Sequence, residues 1–295
     1  QYLVFFLVYL YKTWYNHTRR KQVKIGDDYM NLKIGFIGVG NMAKAIFESL
    51  VKSEGQLPKS IYLYDIDLDK TLKLSEEYNV NVASSITDIA SMCDVIVLAV
   101  RPYDLETVFD ELSQVLTDQI LFSVAVGITL DKLETLSKKD VTIVRTMPNI
   151  GAMIGRSITS YCVNKKVNRN ESIVIDTFLK SFGKAVEIKE EQFDEFTALC
   201  GSSPAFYLEI MDSMINFGLS NGFTYEDTVK MVSESIIVSG KLLQNSTFKP
   251  KELISQIATP GGTTEAGLKV LTKYDINKVI TDTLVATASE SKKTK

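Results

Sequence analysis

Apolar and polar positions follow two regimes along the chain. Up to about residue 189, short apolar runs at 32–37, 61–64, 94–100, 120–126, 141–146, 157–163 and 185–188 alternate with stretches whose apolar residues recur three and four apart. The runs predict strands, and 94–100 reads as a fully buried parallel one. A further short strand is predicted at 80–83. The intervening stretches at 43–51, 68–78, 86–92, 102–116, 130–136 and 170–181 predict helices. This alternation predicts an α/β unit, a doubly wound, Rossmann-type, mostly parallel sheet. From residue 190 the strand pattern stops. Segments 190–200, 204–221, 225–244, 250–257, 263–273 and 275–289 all carry helical periodicity. The division predicted is a nucleotide-binding domain over 30–189 and an all-α domain over 190–295.

The helical part is unusually apolar for about 100 residues. Met211, Met214, Ile215, Phe217 and Leu219 give one surface, and Ile236, Ile237, Val238, Leu242 and Leu243 another. Surfaces of this kind pack against something. A homodimer through these helices is the expectation, with packing inside the domain's own core as the competing one.

The strand at 32–37 runs into Gly38-x-Gly40-x-x-Ala43 and then into a helix. Strand, glycine turn and helix together form a phosphate-binding corner. Gly38 allows the sharp turn, Gly40 lets a pyrophosphate approach the backbone, and Ala43 lets the helix pack close. The helix N-terminus adds N–H groups and partial positive charge. The strand 61–64 ends at Asp65, where such folds place a carboxylate on the adenine ribose hydroxyls. A 2′-phosphate there meets Asp65, Asp67 and Asp69, with only Lys70 to offset them, so NADH is favoured over NADPH. A helix N-cap is the other role open to Asp65. Arg101 and Pro102 follow the strand 94–100 at the carboxyl edge of the sheet, where α/β ligands bind.

Charge and cysteine content narrow the partners. The net charge is −3, while residues 1–29 carry five Lys/Arg against two Asp, so the rest is mildly acidic. No basic face suggests nucleic acid. Cys93, Cys162 and Cys200 lack CxxC spacing, so neither a metal site nor a disulfide framework is expected, and a reducing compartment, the cytoplasm, fits. Residues 1–29 differ from the rest. Their apolar run at 2–11 falls short of the roughly 20 residues a bilayer span requires. It also lacks the flanks of a secretory signal. Met30 stands just before the first strand, so 1–29 is expected to be a non-native or disordered leader; a genuine membrane-peripheral leader is the alternative. The lysine-rich end at 292–295 is expected to be disordered.

Five motifs occur in an order that resembles the pyrroline-5-carboxylate reductases. They are Gly38-Val-Gly-Asn-Met-Ala43, Ala99-Val-Arg-Pro102, Arg145-Thr-Met-Pro-Asn149, Thr197-Ala-Leu-Cys-Gly-Ser-Ser-Pro-Ala-Phe206 and Pro260-Gly-Gly-Thr-Thr-x-Ala-Gly267. The resemblance spans 30–289, and the last motif is its most specific part. It implies a nucleotide-binding domain followed by a helical dimerisation domain. It implies reduction of 1-pyrroline-5-carboxylate to L-proline with NADPH or NADH, the last step of proline synthesis. It implies a site formed between one subunit's nucleotide domain and the helical domain of the dimer, and often further assembly into decamers. By motif, Gly38, Gly40, Asn41, Met42 and Ala43 would hold the pyrophosphate. Ala99, Val100, Arg101, Pro102, Ala125 and Gly127 would line the cofactor. Pro260, Gly261, Gly262, Thr263 and Thr264 would hold the substrate carboxylate, with Thr264 hydrogen-bonded to the ring nitrogen. The chain departs from the family's usual residues at Arg101 (Lys), Gly151 (Pro), Cys200 (Ser), Ser203 (Gly) and Phe206 (Tyr).

The chemistry agrees with the resemblance. The only histidine is His17, inside the leader. A hydroxy-acid dehydrogenase commonly needs a histidine or lysine acid at its carbonyl. An imine nitrogen is already protonated near neutral pH, so alignment, water exclusion and a carboxylate anchor suffice. Backbone N–H groups at a Gly-Gly-Thr-Thr helix start suit that carboxylate, although an ordinary helix N-cap is the plainer reading. Cys200 has no histidine to activate it and reads as a small packing residue. Arg145 reads as a strand-end ion-pair former, and Glu190, Glu191, Asp194 and Glu195 as a solvated helix start. The competing functions are a β-hydroxy-acid dehydrogenase, which wants a lysine on a helix opening the second domain where Lys184 and Lys189 lie on or beside a strand, and a nucleotide sensor without turnover.

Overall fold

The computed structural model describes residues 32–52, 60–165 and 167–293. The leader 1–29, Met30 and the helix end expected at Gly55 lie outside them. The chain divides between Ile188 and Lys189 into two compact units.

The first unit holds one eight-stranded sheet: β1 (Ile34–Ile37), β2 (Ile61–Tyr64), β3 (Asn81–Val82), β4 (Val95–Leu98), β5 (Ile120–Ser123), β6 (Thr142–Met147), β7 (Ser157–Val163) and β8 (Gly183–Glu187), in the order β3-β2-β1-β4-β5-β6-β7-β8. The first six are parallel. Strand β7 runs antiparallel to β6 and parallel to β8. The register sets Ile37 opposite both Tyr64 and Leu98, and Leu98 opposite Ser123. The carboxyl ends of β1, β2, β4 and β5 therefore finish in one row. The apolar runs at 94–100 and 120–126 outlast β4 and β5, because residues 99–100 and 124–126 leave the sheet at that row.

Helices α1 (Asn41–Lys52), α2 (Leu68–Tyr78), α3 (Ile86–Met92), α4 (Leu105–Val115), α5 (Leu130–Ser137) and α6 (Arg169–Lys180) connect the strands. Their starts follow from local chemistry. Asp67, Ser85, Thr129 and Asn168 each accept a backbone N–H three residues on, which satisfies donors a helix end leaves open. Helix α1 buries Ala43, Ile46, Phe47 and Leu50, and Phe47 meets the Phe36 and Tyr78 rings edge-on at 6.0 and 5.4 Å. Each such aromatic contributes about 1.5–3 kcal/mol by burial. This packing fixes α1 beneath the glycine turn.

The second unit is helical throughout. It runs α7 (Phe193–Phe196), a π turn over Thr197–Gly201, α8 (Ser203–Ser220), α9 (Tyr225–Asn245), α10 (Pro250–Ile257), α11 (Thr263–Lys273) and α12 (Ile276–Lys293). Two expectations are corrected here. Of the lysine-rich end at 292–295, Lys292 and Lys293 form the last turn of α12, and 294–295 lie outside the described residues; Lys292 pairs with Glu195 at 3.0 Å and Lys293 with Glu290 at 2.7 Å. Asp194 is buried and accepts from the Ser291 hydroxyl at 2.8 Å, so it ties α7 to α12 and is not part of a solvated helix start. Among the described residues no helix is long and apolar enough to cross a membrane.

Candidate active site

The glycine turn sits at the row of strand ends. Gly38 has φ +90°, and a Cβ there would lie 2.7 Å from the Ala99 carbonyl oxygen. Only glycine fits. Its N–H donates to the Tyr64 carbonyl at 2.8 Å, and Ala99 N–H donates to Ile37 at 2.9 Å. The turn is thus stitched to both neighbouring strands. At Gly40 a Cβ would meet nothing within 4 Å, so the absent side chain leaves open space beside the start of α1. The first helical hydrogen bond is Lys44 N–H to the Gly40 carbonyl at 2.9 Å. The N–H groups of Asn41, Met42 and Ala43 therefore have no partner within the helix. No acidic residue occupies that first turn. An open cradle, unspent N–H groups and the positive end of a helix fit a pyrophosphate.

Asp65 closes the far side of the turn. Its Oδ2 accepts Val39 N–H at 2.8 Å and its Oδ1 accepts Asp67 N–H at 3.0 Å. The N-cap of α2 is Asp67, whose carboxylate accepts Lys70 N–H at 3.2 Å, and not Asp65. Sequence reasoning missed the bond to Val39, since nothing in a sequence pairs two residues 26 apart. Tyr64, beside it, has its hydroxyl pKa raised by burial and by the charges of Glu111 and Asp65. Beyond β4, Ala99 and Val100 are half-buried, while Arg101 and Pro102 are exposed at the start of a 3₁₀ turn. The Arg101 guanidinium donates to the Tyr103 hydroxyl and lies 5.7 Å from its ring centre; that hydrogen bond raises the guanidinium pKa further. Beyond β5, Ala125 and Gly127 are buried, and Ala125 N–H donates to Ser123 Oγ at 3.3 Å. The predicted cofactor residues thus lie just past four adjacent strand ends, with Asn41, Met42 and Ala43 in the first turn of α1.

The predicted substrate loop lies in the helical unit. Gly262 is the N-cap of α11, and no side chain caps it. The first helical bond runs from Ala266 N–H to the Gly262 carbonyl at 3.2 Å, so the N–H groups of Thr263, Thr264 and Glu265 point forward without helical partners. Pro260, Gly261, Thr263 and Thr264 are exposed and Gly262 is half-buried. Glu265 was not singled out from the sequence. Its Oε2 accepts Gly261 N–H at 2.9 Å and pairs with Lys269 at 3.2 Å. A glutamate three residues after an N-cap is the signal that could have found it.

Two of the departures have local explanations. Gly151 N–H donates to Asn149 Oδ1 at 3.1 Å, and a Cβ there would lie 2.6 Å from the Arg156 carbonyl oxygen. A proline lacks that donor and adds the clashing atom. Ser203 is buried and donates to the Leu199 carbonyl at 2.7 Å, closing the π turn. Cys200 is half-buried, and burial raises its thiol pKa, which leaves it a poor nucleophile. Arg145, expected at a strand end, is buried within β6.

Residues 33–127 match the profile of coenzyme F420-dependent NADP oxidoreductases, and residues 190–294 that of pyrroline-5-carboxylate reductase dimerisation. The pyrroline-5-carboxylate reductase of Escherichia coli is 30% identical over 265 residues, 90% of this chain and 98% of its own. The crystal structure of Plasmodium falciparum pyrroline carboxylate reductase with NADP bound superposes with a TM-score of 0.82 at 28% identity, covering 90% of this chain and 98% of that one. The enzyme of Aquifex aeolicus is 31% identical over 264 residues, 90% of this chain and 98% of its own. With that identity sustained along both units, the chain belongs to the pyrroline-5-carboxylate reductase family.

Proposed function

We propose that this chain reduces 1-pyrroline-5-carboxylate to L-proline by hydride transfer from NAD(P)H, the last step of proline biosynthesis. The observation that carries the reading is the Gly38–Ala43 cradle, which occurs in a chain matching these reductases along nearly their whole length. Bound reduced nicotinamide supplies the hydride. The protein's part is placement. The N–H groups of Asn41, Met42 and Ala43 hold the pyrophosphate. Residues Ala99–Pro102, Ala125 and Gly127 wall the cofactor. The N–H groups that open α11 hold the substrate carboxylate, and Thr264 Oγ1 accepts the ring N–H. No side-chain acid is required, because the imine nitrogen enters protonated and leaves as the amine. Apolar faces of α8 and α9 join two copies, and further assembly to a decamer is part of the same reading. The cytoplasm is the compartment in this reading, since Cys93, Cys162 and Cys200 lack the spacing of a disulfide framework.

Mixing the protein with NADH and racemic pyrroline-5-carboxylate tests the reading by loss of absorbance at the reduced-nicotinamide band. Proline should accumulate, and a hydroxy acid with oxidised cofactor should give no signal. The reverse result would establish a hydroxy-acid dehydrogenase instead. Thr264→Ala should lower kcat/KM by about 1.5–3 kcal/mol, the worth of one hydrogen bond to a charged group; unchanged kinetics would remove Thr264 from the mechanism.

The cofactor choice follows from charge at the β2 end. Asp65, Asp67 and Asp69 face a 2′-phosphate with Lys70 alone to offset them, so NADH should show the lower KM. The Plasmodium relative was crystallised with NADP, so a side-by-side titration of both reduced cofactors is informative. A lower KM for NADPH would reject this assignment and leave the reaction unchanged.

A further inference from the structure

The Asp65 carboxylate does something that ribose recognition does not call for. Its Oδ2 takes the N–H of Val39, the residue between the two glycines of the turn, at 2.8 Å. The neighbouring Gly38 N–H is held by the Tyr64 carbonyl at 2.8 Å. Two consecutive amides of the phosphate turn are therefore fastened to two consecutive residues at the end of β2. The Val39 side chain is 1% exposed, and Gly38 has no room to shift toward Ala99. The other carboxylate oxygen holds Asp67 N–H at 3.0 Å, which fixes the orientation of the group. A hydrogen bond to a carboxylate is stronger than one between neutral groups.

We infer that Asp65 is a positioning residue for the pyrophosphate cradle as well as the reader of the adenine ribose. Held by Asp65, the Val39 N–H is turned away from the phosphates, and the cradle is left to Gly40 and the first turn of α1. Ribose reading and cradle shape then depend on one carboxylate. Removing it to admit a 2′-phosphate releases Val39 and loosens the turn that every cofactor of this class needs. Asp65→Ala should therefore weaken NADH and NADPH together and should not convert the protein to NADPH use.

The inference rests on the dinucleotide reading above, and a ligand without an adenosine separates the two. Reduced nicotinamide mononucleotide carries a phosphate and the reactive ring but no adenine ribose. With D65A its KM should rise roughly tenfold while kcat stays within about twofold, since a charge-assisted hydrogen bond that shapes its phosphate site is gone. D65N keeps one oxygen for Val39 N–H and should recover most of that loss. Amide hydrogen exchange at Val39 needs no cofactor. In free D65A it should be at least about tenfold faster than in the parent, with D65N between them. If D65A binds the mononucleotide as the parent does, or Val39 exchanges at the same rate in both, Asp65 reads ribose alone and the inference is overturned. If the parent itself binds neither NADH nor the mononucleotide, the dinucleotide reading fails, and the Val39 exchange rates still decide the role of Asp65 in the turn.

Discussion

Gly38→Ala should cost about 2–6 kcal/mol of folding stability, and Gly40→Ala almost none. The first substitution forces φ +90° on a residue with a Cβ and sets that atom 2.7 Å from a backbone oxygen. Strain of that backbone contributes about 1–3 kcal/mol and overpacking about as much again. Relaxation is blocked on both sides, since Gly38 N–H is bonded to Tyr64 and Ala99 N–H to Ile37. With total stabilities of about 5–15 kcal/mol, thermal melting of G38A should fall by many degrees or the protein should fail to accumulate. At Gly40 a methyl group meets no protein atom within 4 Å. It enters the space offered to the pyrophosphate. G40A should melt as the parent does, yet show a KM for NADH raised by more than roughly tenfold, as one lost phosphate approach and its N–H contacts imply. Equal melting of the two variants would mean that the turn is not stitched as described. Unchanged cofactor affinity in G40A would mean that the cradle holds nothing.

These two glycines also mark what the sequence could and could not convey. Their spacing between an apolar run and a helical period is a local signal, as are the caps at Asp67, Ser85 and Asn168, so β2, α2, α3 and β7 fall where the pattern placed them. Strand ends were less legible. Val100 and Val124 are as apolar as the strands before them, and only the sheet's level register reveals that they have left it. The reversal of β7 against β6 is a matter of how the chain returns, and no local property of residues 157–163 encodes it. Long-range polar pairs were invisible for the same reason. Asp65 bonds Val39 and Asp194 bonds Ser291 across 26 and 97 residues, so the first read as a ribose ligand or a helix N-cap and the second as a solvated acid. In the substrate loop, the two glycines, the two threonines and the helix start at 263 were plain to read, whereas the bond from Gly261 N–H to the Glu265 carboxylate is a side-chain contact that apolar periodicity does not report.

Ile237→Asp should separate the copies of this protein and abolish imine reduction, while cofactor binding persists. Within the helical unit, the buried apolar residues among those described are Phe193, Phe196, Ala198 and Val232. So few cannot offset the conformational entropy of about 100 ordered residues. Meanwhile Leu208, Met214 and Phe217 on α8 and Ile237, Val238 and Leu242 on α9 stay exposed, Phe217 by 73%. The same residues match a dimerisation family. A second copy would cover them, and covering six side chains of this kind supplies about 9–18 kcal/mol before the cost of association. An aspartate at 237 places a carboxylate in that apolar contact. In a two-fold interface it enters twice. At about 3 kcal/mol per copy for an unpaired buried polar group, the dissociation constant should rise roughly ten-thousand-fold. Sedimentation at micromolar concentration should then report a smaller species than the parent, and a solution that no longer oxidises NADH in the presence of pyrroline-5-carboxylate. The glycine turn lies wholly within the first unit, so NADH should still bind, with its affinity within about threefold of the parent by titration calorimetry. A variant that keeps the parent's size would place the contact on other helices. One that dissociates yet turns over at the parent's rate would show that each copy is complete without its partner.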